Sequence, residues 1–169
     1  MGFGWAILHE GDEVMVNMLE HHSNIVPWQM ACARNKAKLV VCPILPDGSL
    51  DIEQFENLLS DKTMVVSFAH SSNVLGSMLP VRKICDLAHA RGIPVMIDGA
   101  QAAPHMPVDM QALDCDFYVF SAHKMGVRRA LKHLGVSGLI RLSFCYFNTR
   151  AEIDLFMNAL QQFLADPNG

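Results

Sequence analysis

The sequence lacks long apolar runs, paired cysteines and a dominant charge of one sign. No stretch is apolar for long enough to span a bilayer, and the first residues show neither the basic segment nor the cleavage site of a secretory signal. The formal net charge is −4, and the 13 Lys and Arg residues are scattered apart from a short basic run between Lys124 and Lys132. This pattern argues against nucleic acid as a partner. We expect a cytoplasmic protein that does not enter membranes, with an organelle matrix as the open alternative.

The five cysteines form no motif that would hold a metal ion or a disulfide framework. They are odd in number, widely spaced, mostly set in apolar contexts and without a CxxC pair, and they are Cys32, Cys42, Cys85, Cys115 and Cys145. This spacing favours reduced, buried thiols over a zinc site. The sequence therefore predicts no metal ligands.

Strand-like and helix-like segments alternate through most of the 169 residues, 51% of which are hydrophobic. Strands are predicted at 13–17, 38–42, 63–69, 94–97, 117–120 and 139–144. Helices are predicted at 24–36 with an interruption near Pro27, from the cap Asp51 to Leu59, from Pro80 to about residue 91, and at 127–134 and 150–165. The strands, including the aromatic run at 117–120, read as buried. This is typical of an α/β fold whose mainly parallel sheet has helices on both faces.

Unusual polar residues follow several of the predicted strands. "HSSN" (70–73), "DGAQ" (98–101) and "SAHK" (121–124) each come directly after a strand, and "EHH" (20–22) follows the first strand closely. Ligands of such sheets bind at the carboxyl ends of the strands. We therefore expect a carboxylate, an amine, amides, imidazoles and a hydroxyl to gather at one edge of the sheet.

This set of groups suits pyridoxal 5'-phosphate (PLP). Its aldehyde needs a lysine amine for a Schiff base, its ring nitrogen needs a carboxylate, and its phosphate needs hydroxyl, imidazole and backbone donors. Simpler interpretations stay open at this point. Asp98 could cap a turn, Lys124 could be an ordinary solvated lysine, and His21 with His22 could be a surface pair.

Several segments, in order along the chain, resemble the class V aminotransferase superfamily and, within it, the SufS-like cysteine desulfurases and selenocysteine lyases. They are "EHHSNIVPWQ", "SSNVLGSMLPV", "VMIDGAQAAPHMPVDMQALDCDFYVFSAHKM" and "IRLSFCYFNT". The similarity covers residues 11–125 and resumes over about 131–164. It implies an incomplete fold type I PLP-dependent transferase, with a partial PLP-binding large domain at residues 1–125 and a remnant of the small C-terminal domain at 126–169.

The resemblance implies roles for individual residues in holding the cofactor. Lys124 resembles the Schiff-base lysine, and His21 resembles the imidazole that stacks on the ring and can shuttle protons. Asp98 resembles the partner of the ring nitrogen. Gln101 resembles the donor to the ring hydroxyl.

Four further residues resemble phosphate and substrate ligands. Ser121 and His123 resemble the phosphate ligands of the family. Asn73 resembles the residue that contacts both the cofactor and the region of the substrate carboxylate. Arg141 resembles the arginine that clamps that carboxylate, a task suited to a bidentate guanidinium.

The implied activity is removal of sulfur from L-cysteine to leave L-alanine, with transfer of the sulfur to a thiol, in iron–sulfur cluster assembly and sulfur metabolism. L-Selenocysteine is the alternative substrate. The resemblance also implies a sulfur-acceptor protein as a partner, and a homodimer or association with a full-length paralogue.

The sequence departs from the family directly after Met125. Relatives continue there with "YGPTGIG"-like residues, whereas this chain continues with "GVRRALKHLGVSGLIR", which resembles the segment just before the carboxylate-binding arginine. The loop with the nucleophilic cysteine is thereby missing, and Cys115 and Cys145 do not match its context. We expect an impaired desulfurase. The alternatives are a noncatalytic fragment or pseudoenzyme that acts as an interaction module, or a class V selenocysteine lyase or aminotransferase activity.

Missing strands would also leave sheet edges and apolar faces uncovered. From this we expect poor solubility, compensating dimerisation or a marginally stable fold.

Overall fold

Five parallel strands form one sheet. The computed structural model describes residues 8–121 and 124. The strands are β1 (Glu13–Asn17), β2 (Lys38–Cys42), β3 (Thr63–Ala69), β4 (Val95–Asp98) and β5 (Phe117–Val119). They lie in the order β2-β1-β3-β4-β5, and every neighbouring pair is parallel. The predicted α/β class with a mainly parallel sheet is confirmed, and the strand order reverses at β1 and β3, where ligand crevices form in such folds.

The connections between the strands contain helices. Three of them are α1 (His22–Asn35), α2 (Ile52–Leu58) and α3 (Val81–His89), and two single turns follow β4 as α4 (Ala102–His105) and α5 (Met110–Leu113). The predicted cap of α2 is present, since an oxygen of the Asp51 side chain accepts a hydrogen bond from Gln54 N at 3.0 Å. No helix within residues 8–121 is long and apolar enough to cross a membrane.

Helix α1 runs through Pro27, so the predicted interruption at this residue is wrong. The helix begins at His22, two residues before the predicted start. A proline in a helix interior loses the hydrogen bond to the carbonyl four residues earlier, here that of Ser23. This loss falls close to the first turn, and burial of Trp28 and Ala31 against the sheet offsets it.

The sheet carries an apolar core on each face. Helices α2 and α3 cover one face, and the largest fully buried side chains there are Met15, Phe55, Phe68, Ile84 and Ile97. On the opposite face the buried residues come from α1 and the central strands, and they include Val14, Val16, Trp28, Ala31 and Val65. The two cores fix the strands from both sides and so hold their carboxyl ends in register.

Within residues 8–121, β5 pairs with β4 alone. The predicted strand is confirmed over Phe117–Val119, but its predicted burial is wrong. Phe117, Val119 and Phe120 are 36%, 44% and 52% exposed. Side chains alternate along a strand, and Tyr118 packs against the core under α2 and α3. Phe117 and Val119 therefore lie on the face of α1, whose buried residues pack on β1 and β3.

Candidate cofactor site

A cavity of about 380 Å³ lies at the carboxyl ends of the strands. Its walls come from α1 and from the segments that follow β1, β3, β4 and β5. Six of the predicted site residues line it, namely His21, Asn73, Asp98, Gln101, Ser121 and Lys124. Its volume is typical of sites for small molecules. The other two predicted site residues, His123 and Arg141, lie outside the described residues.

Asp98, the last residue of β4, is held from both neighbouring strands. Its backbone carbonyl accepts a hydrogen bond from His70 N at 2.9 Å, and Gly99 N donates to Val119 O at 2.7 Å. Its side-chain oxygen Oδ1 accepts from Ala100 N at 2.9 Å. This last contact is the turn interaction that the sequence also allowed, and it uses one of the two oxygens of a carboxylate that lines the cavity.

Gly99 allows the chain to pass close to Tyr118 as it leaves β4. A Cβ atom at Gly99 would lie 2.1 Å from Cζ of the Tyr118 ring. The Tyr118 hydroxyl lies 3.0 Å from Nδ1 of His70. Burial lowers the pKa of His70 and raises the pKa of Tyr118 to about 12, so both side chains are neutral at pH 7. An uncharged pair thus packs beside the segment that carries Asp98.

His21 is the N-terminal cap of α1. Its Nδ1 accepts a hydrogen bond from Ser23 N at 3.2 Å and lies 3.0 Å from Ser23 Oγ. These two contacts orient the ring, although the residue is exposed to solvent. The imidazole lines the cavity together with Trp28 of the same helix. An oriented ring at the open side of a cavity suits stacking on a flat ligand.

A buried carboxylate lies beside the cavity, and it belongs to Glu20 of the "EHH" segment, for which the sequence predicts no individual role. Glu20 is 8% exposed. It accepts hydrogen bonds from the side chain of Asn17, from Asn24 Nδ2 at 2.8 Å and from Ala69 N at 2.6 Å. Burial raises the pKa of Glu20 to about 7, against the lowering effect of these bonds. The available signal was polar residues in apolar strands, Asn17 in β1 and Ser67 in β3, because a buried polar group needs a partner.

Lys124 and Ser121 are brought together by a backbone contact in which Lys124 N donates to Ser121 O at 3.0 Å. Both residues line the cavity. The cavity thus gathers an amine, a hydroxyl, a carboxylate, amides and an imidazole, the groups that the aldehyde, phosphate and ring of PLP require. The residues present fit this cofactor. Within residues 8–121 and 124, no group of three or more His, Cys, Asp or Glu side chains could hold a metal ion.

The described cysteines are poorly suited to act as nucleophiles. Cys32, Cys42 and Cys85 are buried, and Cys115 is partly buried. Burial raises the pKa of all four thiols, to about 12 for Cys42 and Cys85, and so disfavours the reactive thiolate. None of these four lines the cavity. The fifth cysteine, Cys145, lies outside the described residues.

Comparison with known proteins gives consistent matches. The sequence model of the aminotransferase class-V family matches residues 1–127. A cysteine desulfurase of Escherichia coli O7:K1 is 51% identical over 123 residues, which are 73% of this chain and 30% of that protein. This chain therefore spans about 30% of the length of the curated relatives that it matches.

Solved structures show the same fold. The crystal structure of the cysteine desulfurase CsdA (S-sulfonic acid) from Escherichia coli matches with a TM-score of 0.69 and 38% identity, over 72% of this chain and 31% of that one. A structure of a C-DES mutant with glycine covalently linked to its PLP cofactor matches with a TM-score of 0.65 and 27% identity, over 72% of this chain and 35% of that one.

Proposed function

Because the chain belongs to the aminotransferase class-V family, we propose that its cavity binds PLP and that the protein acts as a cysteine desulfurase-like enzyme on L-cysteine. The observation that carries the proposal is the convergence of six predicted residues on one cavity at the carboxyl ends of the strands. The similarity to cysteine desulfurases supports this choice of substrate within the family.

Each residue that holds the cofactor has a task that follows from its chemistry. When bound, PLP supplies an electron sink for the charge that develops at the substrate α-carbon. Asp98 would hold the ring nitrogen in its protonated form, and His21 would stack on the ring. Lys124 would hold the aldehyde through Nζ, and its amine would be the base that accepts the proton from the α-carbon.

The remaining ligands bind the polar groups of cofactor and substrate. Gln101 donates to the ring hydroxyl, and Ser121 donates to the phosphate together with His123. Asn73 would hold the α-carboxylate of the substrate and thereby orient its α-proton towards Lys124. The role of Arg141 in binding this carboxylate stays a prediction, because the residue lies outside the described part of the chain.

The sulfur step needs a thiolate. The C–S bond of L-cysteine breaks while an S–S bond forms to the acceptor sulfur, and the β-carbon takes up a proton to give L-alanine, so no external oxidant is needed. Three of the four described cysteines are buried and one is partly buried, and burial raises the pKa of all four thiols. We therefore propose that desulfuration by this chain alone is impaired and that an added or partner thiol, such as that of an acceptor protein, restores it.

Titration of the purified chain with PLP tests the cofactor site. We expect a visible absorption band that depends on Lys124 and is abolished by Lys124→Ala. Lys83→Ala is the matched control, because Lys83 is exposed on α3 and does not line the cavity. Absence of the band in folded wild-type protein, or its persistence in Lys124→Ala, would contradict the proposal.

Measurement of alanine release tests the activity. With PLP bound, we expect slow release from L-cysteine and a clear increase when dithiothreitol is added. Fast release of alanine from L-cysteine without an added thiol would contradict the proposal that desulfuration by this chain alone is impaired. Release from L-selenocysteine alone would favour a lyase, and release from neither substrate would favour a noncatalytic protein.

A further inference from the structure

The hydrogen-bond donors around Glu20 are fixed in orientation. Asn17 Oδ1 accepts from Leu19 N at 2.7 Å, and this contact directs the amide NH₂ of Asn17 towards the Glu20 carboxylate. The peptide N–H of Ala69 at the end of β3 is a second donor, at 2.6 Å from Oε1 of Glu20, and a backbone N–H cannot become an acceptor.

The third donor is fixed in the same way. Asn24 Nδ2 donates to the Ser67 carbonyl at 3.1 Å as well as to Oε2 of Glu20, and Asn24 Oδ1 accepts from Ser67 Oγ at 2.7 Å. A flipped Asn24 amide would place its oxygen against the Ser67 carbonyl, which is itself an acceptor. Both oxygens of Glu20 therefore face N–H groups that cannot reverse.

This arrangement selects an ionised carboxylate. A protonated Glu20, or a glutamine at this position, would direct a hydrogen towards one of the three donors and leave that donor without a partner. An unpaired buried donor is costly. Burial nevertheless raises the pKa of Glu20 to about 7, so the ionised form predominates above this pH, and a carboxyl group with a strongly shifted pKa is typical of functional sites.

Glu20 connects the parts of the chain that carry the proposed cofactor ligands. It directly precedes His21, and its partner Asn24 lies in the first turns of α1 and lines the cavity. A further partner, Ala69, is paired with Asp98 in the register of β3 and β4. The carboxylate thus ties the turn with His21 to the strand end beside Asp98.

We propose that Glu20 is a positioning residue of the cofactor site: as a carboxylate, it fixes the turn that carries His21 to the carboxyl end of β3 and thereby sets the ring of His21 against the cofactor. This inference rests on the proposed binding of PLP, but the tie between the turn and β3 is a property of the chain itself. The two parts can be tested separately.

The test compares wild type with Glu20→Gln at about pH 8, above the pKa of Glu20, so that the substitution keeps the size of the side chain and removes its charge. Without cofactor, we expect faster hydrogen exchange at the amide of Ala69. With PLP, we expect a dissociation constant that is raised about tenfold or more, and a weaker visible circular dichroism band at an unchanged absorption maximum. A wild-type dissociation constant and a wild-type dichroism band in Glu20→Gln would overturn the proposal.

Phe55→Leu is the matched control for lost stability. Phe55 is fully buried in the core on the opposite face of the sheet and does not line the cavity. We expect Phe55→Leu to lower the unfolding midpoint while the affinity for PLP and the dichroism band stay at wild-type values. If Phe55→Leu weakens the affinity for PLP and the dichroism band as much as Glu20→Gln does, these losses result from general destabilisation and the positioning role is refuted.

Ser67→Ala keeps the test decisive if Glu20→Gln does not fold. This variant removes one of the contacts that hold Asn24 and leaves Glu20 in place. We expect faster hydrogen exchange at Ala69 and weaker PLP binding than in wild type, but smaller changes than in Glu20→Gln. Unchanged Ala69 exchange together with unchanged affinity would overturn the proposal. If wild type shows no band that depends on Lys124, the proposed function fails, whereas the exchange of Ala69 still reports whether Glu20 ties the turn to β3.

Discussion

At the scale of single residues, the close approach of Gly99 to Tyr118 sets the path of the chain beside Asp98. The Cβ atom of an alanine at position 99 would meet the Tyr118 ring at 2.1 Å, well inside van der Waals contact. We expect Gly99→Ala to lower the free energy of unfolding by about 1–3 kcal/mol, because the ring or the backbone must move. Urea unfolding at 25 °C measures this change.

A double variant identifies the cause of that loss. Tyr118→Leu removes the ring atoms that the new Cβ would meet, at the cost of the contact with His70. We expect Gly99→Ala to cost less in the Tyr118→Leu background than in wild type, because the two residues share one clash. Equal costs in both backgrounds would show that the Tyr118 ring is not responsible.

At the scale of secondary-structure elements, Asp116 links α3, β4 and β5. Its Oδ2 accepts from Val95 N at 2.7 Å, at the start of β4, and lies 2.9 Å from Nε2 of His89, at the end of α3. Burial alone would raise the pKa of Asp116, but these two contacts outweigh it and the pKa is lowered. The folded state therefore favours the charged form of this carboxyl group.

The direction of this pKa shift fixes the pH dependence of the link. A lowered pKa in the folded state stabilises the fold above the unfolded pKa of about 4, and this contribution is lost as the pH falls through the folded pKa. We expect Asp116→Asn to lower the free energy of unfolding by about 1 kcal/mol at pH 7. The difference from wild type should shrink below about pH 4. Chemical denaturation at a series of pH values measures both.

Asp114→Asn provides the comparison for this prediction. Asp114 is more exposed and contacts Arg82 at 3.3 Å and His89 at 4.0 Å through surface ion pairs. We expect Asp114→Asn to lower the free energy of unfolding by about 0.5 kcal/mol or less, since exposed ion pairs contribute little to stability. An equal loss in the two variants would contradict the role of Asp116 as the link to Val95 N.

The same elements show what can be predicted from the sequence. Apolar runs that are followed by polar residues predict the positions of the strands. Because parallel strands end at the same edge of the sheet, the same pattern predicts that the polar residues lie close together, and six of the predicted site residues do line one cavity. The continuity of α1 through Pro27 and the exposure of β5 could not be derived in this way. The continuity of α1 and the exposure of β5 depend on which residues pack against these elements, and the local sequence does not contain this information.

The part of the site that was missed depends on tertiary contacts as well. Glu20 looks like a surface residue in a polar stretch, and its burial results from partners in β1, α1 and β3. Asn24 is ordinary in its local sequence, and Asn17 at the end of an apolar strand indicates only that it needs a polar partner, without saying which one. Only the packing of α1 on the sheet places them around one carboxylate.

At the scale of the whole molecule, the described residues include an exposed apolar strip formed by Phe117, Val119 and Phe120, the last two of which also line the cavity. Within residues 8–121, the strip lies at β5, the last strand in the sheet order, with Phe120 directly after it. An exposed apolar edge strand is a template for association. We expect the chain to self-associate as its concentration rises, and Phe117→Lys to reduce this association, because a lysine places a charge at the edge of the sheet. Sedimentation velocity at several concentrations measures the effect.

Val74→Lys separates the strip from a general effect of charge. Val74 is 69% exposed in the segment after β3, and the substitution changes the formal net charge from −4 by the same single unit as Phe117→Lys. Association through β5 should respond to Phe117→Lys alone, since only this variant alters the edge of the sheet. If both variants reduce association equally, net repulsion between molecules is the cause, and the strip has no special part in it.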